Sequence, residues 1–196
     1  MVETQQPRLL DRCSTVQGFV RPNLTIVAEP FIHVARIQIW GSDADAVLSR
    51  TAGVMAPAPC MQTALGDLTL AWQAPGDWLL IGAEAAMRPA QTALKAELAG
   101  TIALVTDLSH GVGSFRLSGT AAIDALAAHC PLDLCASAFA VDNVARSCLG
   151  DAGLFIARLR DVDEKPVFRL IVDHTMSDYA LRMLAGAEPS FHGEAF

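Results

Sequence analysis

The residues best placed to do chemistry in this chain lie in one stretch, "HCPLDLCASAF", from His129 to Phe139. A histidine adjoins Cys130, Cys135 follows five residues later, and Asp133 stands between the two cysteines. Imidazole, thiolate and carboxylate are all zinc donors, and a neighbouring cation is what activates a thiol. Either chemistry requires the side chains to converge. The preceding residues argue otherwise. Ile123, Leu126, Ala127 and Cys130 recur at i, i+3, i+4 and i+7, so Cys130 continues an apolar helix face and points inward. His129 lies roughly 120° from Ile123 around the same helix, toward its flank. Pro131 biases Cys130 out of helical geometry and marks the helix end, where the dipole opposes a thiolate. Cys135 has no second ligand pair nearby. Packing is therefore the expected role of the stretch.

Other motifs are weaker. "SHGVGS" holds Gly111 and Gly113, but a dinucleotide fingerprint needs a third glycine opening a helix. Phe115-Arg116-Leu117 follows instead, which predicts a hairpin turn. No Gly-x-x-x-x-Gly-Lys loop and no Gly-x-Ser-x-Gly elbow is present. His33, His110, His129, His174 and His192 stand apart in sequence from the serines and carboxylates of a triad, and each is expected to be structural. Asp107 and Ser109 in "TDLSHG" fit a ligand contact or, more simply, a turn cap. "RDVDEKP" reads as a solvated turn. Trp40, Trp72 and Trp78 fall at strand positions, where they either line a pocket or interface or, by the simpler reading, fill the core. No catalytic, cofactor-binding or metal-ligating residue is assigned from these patterns.

Composition narrows the class. The chain has 196 residues, of which 52% are hydrophobic and 18% charged, against about 25% charged in an average soluble domain. Two readings account for the deficit: surface hidden against a partner, as in an obligate subunit, or simple alanine enrichment. A net charge of −7, with no run of Lys and Arg, argues against a phosphate-neutralising role and so against nucleic-acid binding. The first residues lack the apolar core of a secretion signal, and nothing approaches the roughly 18 apolar residues of a membrane span. A cytoplasmic location is expected. Cys13, Cys60, Cys130, Cys135 and Cys148, odd in number and scattered, argue against a disulfide framework.

The elements that must position these residues follow from periodicity. Residues 1–30 carry Pro7, Pro22 and Pro30 and predict an irregular arm. "HVARIQIWG" alternates, with Val34, Arg36, Gln38 and Trp40 on one face and Ala35, Ile37 and Ile39 on the other, predicting a strand. A helix follows, with Ser42 or Asp43 as N-cap and Gly53 as terminator. Leu68–Trp72 and Trp78–Ile81 predict a hairpin around Pro75-Gly76-Asp77. A second helix runs to Gly100. Ile102–Val105 predicts a buried strand, with His110–Gly113 turning into a strand at Ser114–Leu117. Another helix, strands around "RDVDEKP" and a last helix capped by Ser177 complete the chain.

These elements repeat. "VARIQIWGSDADAVLSRTAG" and "VGSFRLSGTAAIDALAAHC" are each a strand, a glycine and a helix. Each is followed by Leu-Gly-Asp and two strands, closing on "LLI" (Leu79–Ile81) and "RLI" (Arg169–Ile171). Each half then adds a helix. The duplicated strand-helix-strand-strand-helix unit predicts an α+β fold with antiparallel sheets, divided as 1–30 arm, 31–100 first repeat and 101–196 second repeat in one compact structure.

The order of "PGDWLLIG", "VTDLSHGVGSFRLSG", "HCPLDLCASAF" and "FRLIVDHTMSDYALRML" resembles the gamma subunits of heterotetrameric sarcosine oxidases, from about Leu24 to Leu184. Cys130-Pro131-Leu132-Asp133-Leu134 followed by Phe139, then Ser177-x-Tyr179, are its most specific parts. In that family histidine often follows the Pro-Leu-Asp-Leu run; here Cys135 does. The resemblance implies a fold like the tetrahydrofolate-binding domain of the glycine-cleavage T-protein. It implies a non-catalytic structural subunit of a complex that oxidises sarcosine to glycine, reduces oxygen to peroxide and passes a one-carbon unit to tetrahydrofolate. Alpha, beta and delta subunits are the implied partners. FAD, FMN, NAD, tetrahydrofolate and zinc are implied in those partners and none in this chain. The alternative is a stand-alone tetrahydrofolate-binding or one-carbon transfer protein, although no Lys-Gly-Cys-Tyr-type motif is present.

Overall fold

The computed structural model of the protein describes residues 18–186. Pro7, Cys13 and His192 lie outside the described residues. Among the described residues, eleven strands and four α-helices follow one another along the chain. Strands β1 (Gly18–Arg21), β2 (Leu24–Ala28) and β3 (Ile32–Ile39) lead into helix α1 (Ala44–Ala52). Strands β4 (Gln62–Leu65), β5 (Leu68–Ala74) and β6 (Asp77–Ala83) lead into α2 (Glu84–Glu97). The pattern recurs as β7 (Ala103–Asp107), β8 (Val112–Ser118) and α3 (Ala122–Ala127), then β9 (Val144–Leu149), β10 (Ala152–Val162), β11 (Lys165–Asp173) and α4 (Ser177–Ala185). The expected α+β class with antiparallel sheets holds. Each unit carries one strand more than expected, β4 or β9, because Leu65-Gly66-Asp67 and Leu149-Gly150-Asp151 are tight turns between strands. Gly66 and Gly150 sit there at φ +58° and +57°, a conformation that favours glycine.

The strands form two sheets, β1-β2-β8-β11-β10-β9 and β4-β5-β6-β3-β7. The order shows an exchange. β2 runs directly into β3 yet pairs with β8, and β7 runs directly into β8 yet pairs with β3. Each half therefore lends its leading strand to the other half's sheet. Matching hydrogen bonds close the two crossovers: the Glu29 N–H donates to the Ser114 carbonyl at 2.8 Å, and the Leu108 N–H to the Val34 carbonyl at 2.8 Å. The symmetry is visible again where the halves touch edge to edge. Met61 bridges Asn143, the Gln62 N–H donates to the Asp142 carbonyl, and the Val144 N–H donates to the Cys60 carbonyl. Cys60 and Asp142 both take positive φ, 61° and 68°, which is uncommon outside glycine.

Alternation along the strands divides the apolar residues among three cores. Ile37 and Trp78 face α1 and α2, while Leu117 and Phe168 face α3 and α4. Val34, Leu79, Ile81, Phe155 and Ile171 meet between the sheets. The layers are thus helices, sheet, sheet, helices. Register pairs Val34 with Ile81 and Ser114 with Ile171, so Val34 corresponds to Ser114 and Leu79 to Arg169. A text alignment matching Val34 to Val112 is two residues out of step, because the glycine that follows each first strand falls at a different distance from its sheet register.

Several expectations change. Residues 18–28, expected as irregular arm, form a hairpin whose turn holds Pro22, where a missing N–H costs nothing. Ile102 and Leu104 are exposed, 75% and 50%, because β7 is an edge strand whose inner side reaches beyond the other sheet. His110–Gly113 is no hairpin turn. The chain leaves one sheet at Asp107 and joins the other at Val112. Helix α2 stops at Glu97, short of Gly100. Ser177 is buried and does not cap α4, because a 3₁₀ turn (His174–Met176) precedes it and is capped by Asp173, which accepts from the Thr175 N–H. Asp43 precedes α1 without a side-chain cap bond, whereas Gly53 ends it at φ 69°, as expected.

Because each sheet is built from both halves, neither half can open alone without breaking a strand pairing in the other. Denaturant unfolding should give one transition, coincident by tryptophan fluorescence, which reports the first half, and by far-UV circular dichroism. Two resolved transitions would show independent halves.

Candidate functional site

The stretch that prompted the metal and thiol readings is a plug. Cys130, Leu134 and Phe139 are buried in the core beneath α3, and Leu132 packs against it. The Cys130 N–H still bonds the Leu126 carbonyl, so the helical phase carries Cys130 inward as expected, with its Sγ 3.6 Å from Ser147 Oγ. Ala127 is exposed rather than inward, since the buried face steps through Ala122, Leu126 and Cys130. The His129 carbonyl accepts from the Gly150 N–H. Asp133 accepts from the Cys135 N–H at 3.0 Å. Cys135 itself is exposed, and the adjacent Asp133 pushes its thiol above the ordinary value, which is the wrong direction for a nucleophile. Among the described residues no group of three or more His, Cys, Asp or Glu side chains is placed to hold a metal.

Asp107 and Ser109 do serve the crossover between β7 and β8. Asp107 Oδ1 accepts from the Ser109 N–H at 2.9 Å and from Ser109 Oγ at 2.6 Å. Ser109 Oγ accepts from the Val34 N–H at 3.1 Å. Burial pushes the Asp107 carboxyl up, but the two Ser109 bonds and the nearby His33 and His110 outweigh it and hold it below its usual range. The tryptophans have different surroundings: Trp78 is fully buried, Trp72 packs against the same core, and Trp40 is 53% exposed. The turn in "RDVDEKP" is Asp163-Glu164, both exposed at positive φ.

The most extensive buried polar network lies instead at the inner faces of the sheets. Glu29, at the end of β2, accepts from Arg169 Nε at 2.8 Å and Nη2 at 3.1 Å, from Ser114 Oγ at 2.9 Å and from Arg116 Nε at 3.1 Å. Burial raises the Glu29 carboxyl, yet Arg169, Ser114 and Arg116 together bring it below its ordinary value. In the other half Arg36 grips the buried Asp77, with Nε 2.9 Å from Oδ1. The only trace of this network in the sequence was an arginine amid apolar strand residues, at Arg36, Arg116 and Arg169. Glu29 fell in the expected arm, and nothing local paired it with Arg169, 140 residues away.

The matching positions on the other side of the pseudo-twofold are Leu108 for Glu29, Val34 for Ser114 and Leu79 for Arg169. They carry no charge, and a cavity of about 190 Å³ lies there between the sheets. Its apolar wall includes Leu79, Phe155 and Ile171. Arg146 and Asp173 are exposed and stand at its mouth, and Gln73 lines it with a buried Oε1 that lacks a hydrogen-bond partner.

Glu29→Ala should destabilise the protein by about 3–5 kcal/mol, because it strands Arg169 with no counter-charge. A carboxyl held below its ordinary value stabilises the fold above that value, and the contribution fades as pH falls from about 4.3 toward the lower folded value. Chemical denaturation at several pH values should show a larger acid-side loss in the native protein than in Glu29→Ala, where only other depressed carboxyls such as Asp107 still contribute. At Cys135, Asp133→Asn should speed alkylation several-fold at neutral pH, read by peptide mass spectrometry, since it removes the carboxylate that opposes thiolate formation.

The model of the "Sarcosine oxidase, gamma subunit family" matches residues 41–189. Among solved structures, a chain of heterotetrameric sarcosine oxidase from Corynebacterium sp. U-96, in complex with pyrrole 2-carboxylate, superposes with a TM-score of 0.73 at 22% identity, covering 90% of each chain. The glycine cleavage system aminomethyltransferase T from Bartonella henselae superposes with a TM-score of 0.66 at 15% identity, over 85% of this chain. This chain spans 46% of that one, about half its length. At such identities the two likenesses establish the fold, which agrees with the expectation of a T-protein-like architecture. No curated protein shows a significant match. With well over half of its length matched to the family model, the chain belongs to the sarcosine oxidase gamma subunit family.

Proposed function

We propose that the protein is a non-catalytic structural subunit of a sarcosine oxidase-like complex, one that converts sarcosine to glycine and peroxide and hands the one-carbon unit to tetrahydrofolate. The match to the gamma subunit family carries this reading. In it, alpha, beta and delta subunits are the partners, and they hold FAD, FMN, NAD, tetrahydrofolate and zinc. The complex works in the cytoplasm. No helix among the described residues is long and apolar enough to cross a membrane.

The distribution of exposed apolar side chains supports the reading. Trp40, Ile102 and Leu104 lie together on the inner side of the first sheet where it reaches past the second. The Trp40 N–H bonds the Ile102 carbonyl at 3.0 Å, and Leu104 stands opposite Gln38 on the same side. Val20 and Val27 occupy the corresponding overhang of the second sheet. Apolar surface of this kind is what a permanent interface covers.

Co-expression with candidate alpha, beta and delta subunits should yield one co-purifying complex, and Trp40→Asp with Ile102→Asp should weaken its retention while leaving the circular dichroism of the chain unchanged. A chain that remains a monomer beside all candidate subunits would overturn the reading, and saturable tetrahydrofolate binding by the isolated chain would point to a folate protein instead.

A further inference from the structure

The inter-sheet cavity has the donor and acceptor set of a binding site. Where the pseudo-symmetric positions are filled by the Glu29 network, this one is left open. Arg146, at its mouth, makes no ion pair or hydrogen bond with another described residue. Strand pairing sets Arg146 directly opposite Phe155, so the guanidinium and the aromatic wall rise from the inner face of one hairpin. Asp173 uses Oδ1 to hold Thr175 through its N–H and its hydroxyl, at 2.9 and 2.6 Å, and those bonds shift its carboxyl below the ordinary value. Its second oxygen is not engaged by that turn. Gln73 presents a buried carbonyl oxygen without a donor, from the opposite sheet. A buried acceptor left unmatched costs about 1–3 kcal/mol unless a donor reaches it.

One cation and two acceptors around an apolar floor select a molecule carrying both signs of charge. We propose that this cavity binds a small zwitterion of the α-amino acid class, its carboxylate on Arg146, its ammonium on Gln73 Oε1 and Asp173, and a small apolar side chain against Leu79, Phe155 and Ile171. A simple anion would leave Gln73 unsatisfied and meet Asp173. A simple cation would meet Arg146. The volume of about 190 Å³ suits a molecule of a few heavy atoms and excludes a folate or a nucleotide within the cavity itself.

The proposal goes beyond the scaffold reading and is independent of it, since binding is measured on the full chain alone and its failure leaves co-purification untouched. The test is an amide-detected NMR titration with glycine, alanine and valine, with acetate and methylamine as single-charge probes. Saturable shifts at Val34, Phe155 and Ile171 are expected with the amino acids at millimolar concentration, and at least roughly tenfold weaker binding of acetate and methylamine. Arg146→Met and Gln73→Leu should each weaken amino-acid binding roughly tenfold or more, while Arg146→Lys, which keeps the charge, stays within a few-fold. Absence of shifts with every amino acid, equal binding by acetate or methylamine, or unaltered binding by a folded Arg146→Met would each overturn it.

Discussion

Each half of this molecule completes its sheet with a strand from the other half, and the remaining architecture follows from that exchange. β2 and β7 occupy equivalent places, each hydrogen-bonded into the sheet to which its own successor strand does not belong. A backbone group withdrawn from water must find a partner, so β3 and β8 could not be left with bare edges in the interior. The exchange satisfies both edges at once. It also forces the two sheets face to face, because the crossovers at Glu29 and Leu108 are only a few residues long. Helices then have only the outer faces available, which gives the four layers.

Duplication supplies the frame, and divergence at the dyad-related positions supplies the chemistry. A carboxylate at Glu29 obliges its neighbours to be cationic or hydroxylic, and Arg169, Arg116 and Ser114 answer it. The corresponding Leu108, Leu79 and Val34 pack as hydrocarbon and do not fill the same volume. One side of the interface is thereby locked around Glu29, while the other keeps the Arg36–Asp77 pair and encloses the cavity. The outer faces show the same divergence. Trp72 lies across from Trp78 in the first sheet, and at the equivalent place in the second Arg158 lies over the Phe168 ring at 5.0 Å. Cation–π contact thus replaces an aromatic pair without changing the strand register.

The signature stretch from His129 to Phe139 illustrates how residue types mislead when read for chemistry alone. Its cysteines and histidine occupy three different environments: a buried core face, a partly covered helix end and open solvent. The constraint that fixes the run is packing, since Cys130, Leu134 and Phe139 together close the core below α3.

The sequence by itself determined the α+β class, the duplication, most strands and helices and the inward turn of Cys130. These depend on periodicity and on local signals such as Leu-Gly-Asp, which act over a few residues. It also carried the family resemblance, in the order of its short motifs. Tertiary structure alone decided the strand exchange, the edge position of Ile102 and Leu104, and the meeting of Glu29 with Arg169 across 140 residues. It also decided which inner-face positions are filled and which enclose the cavity. Register between strands distant in sequence sets all of these, and a one-dimensional pattern with period two is the same whichever strand lies alongside.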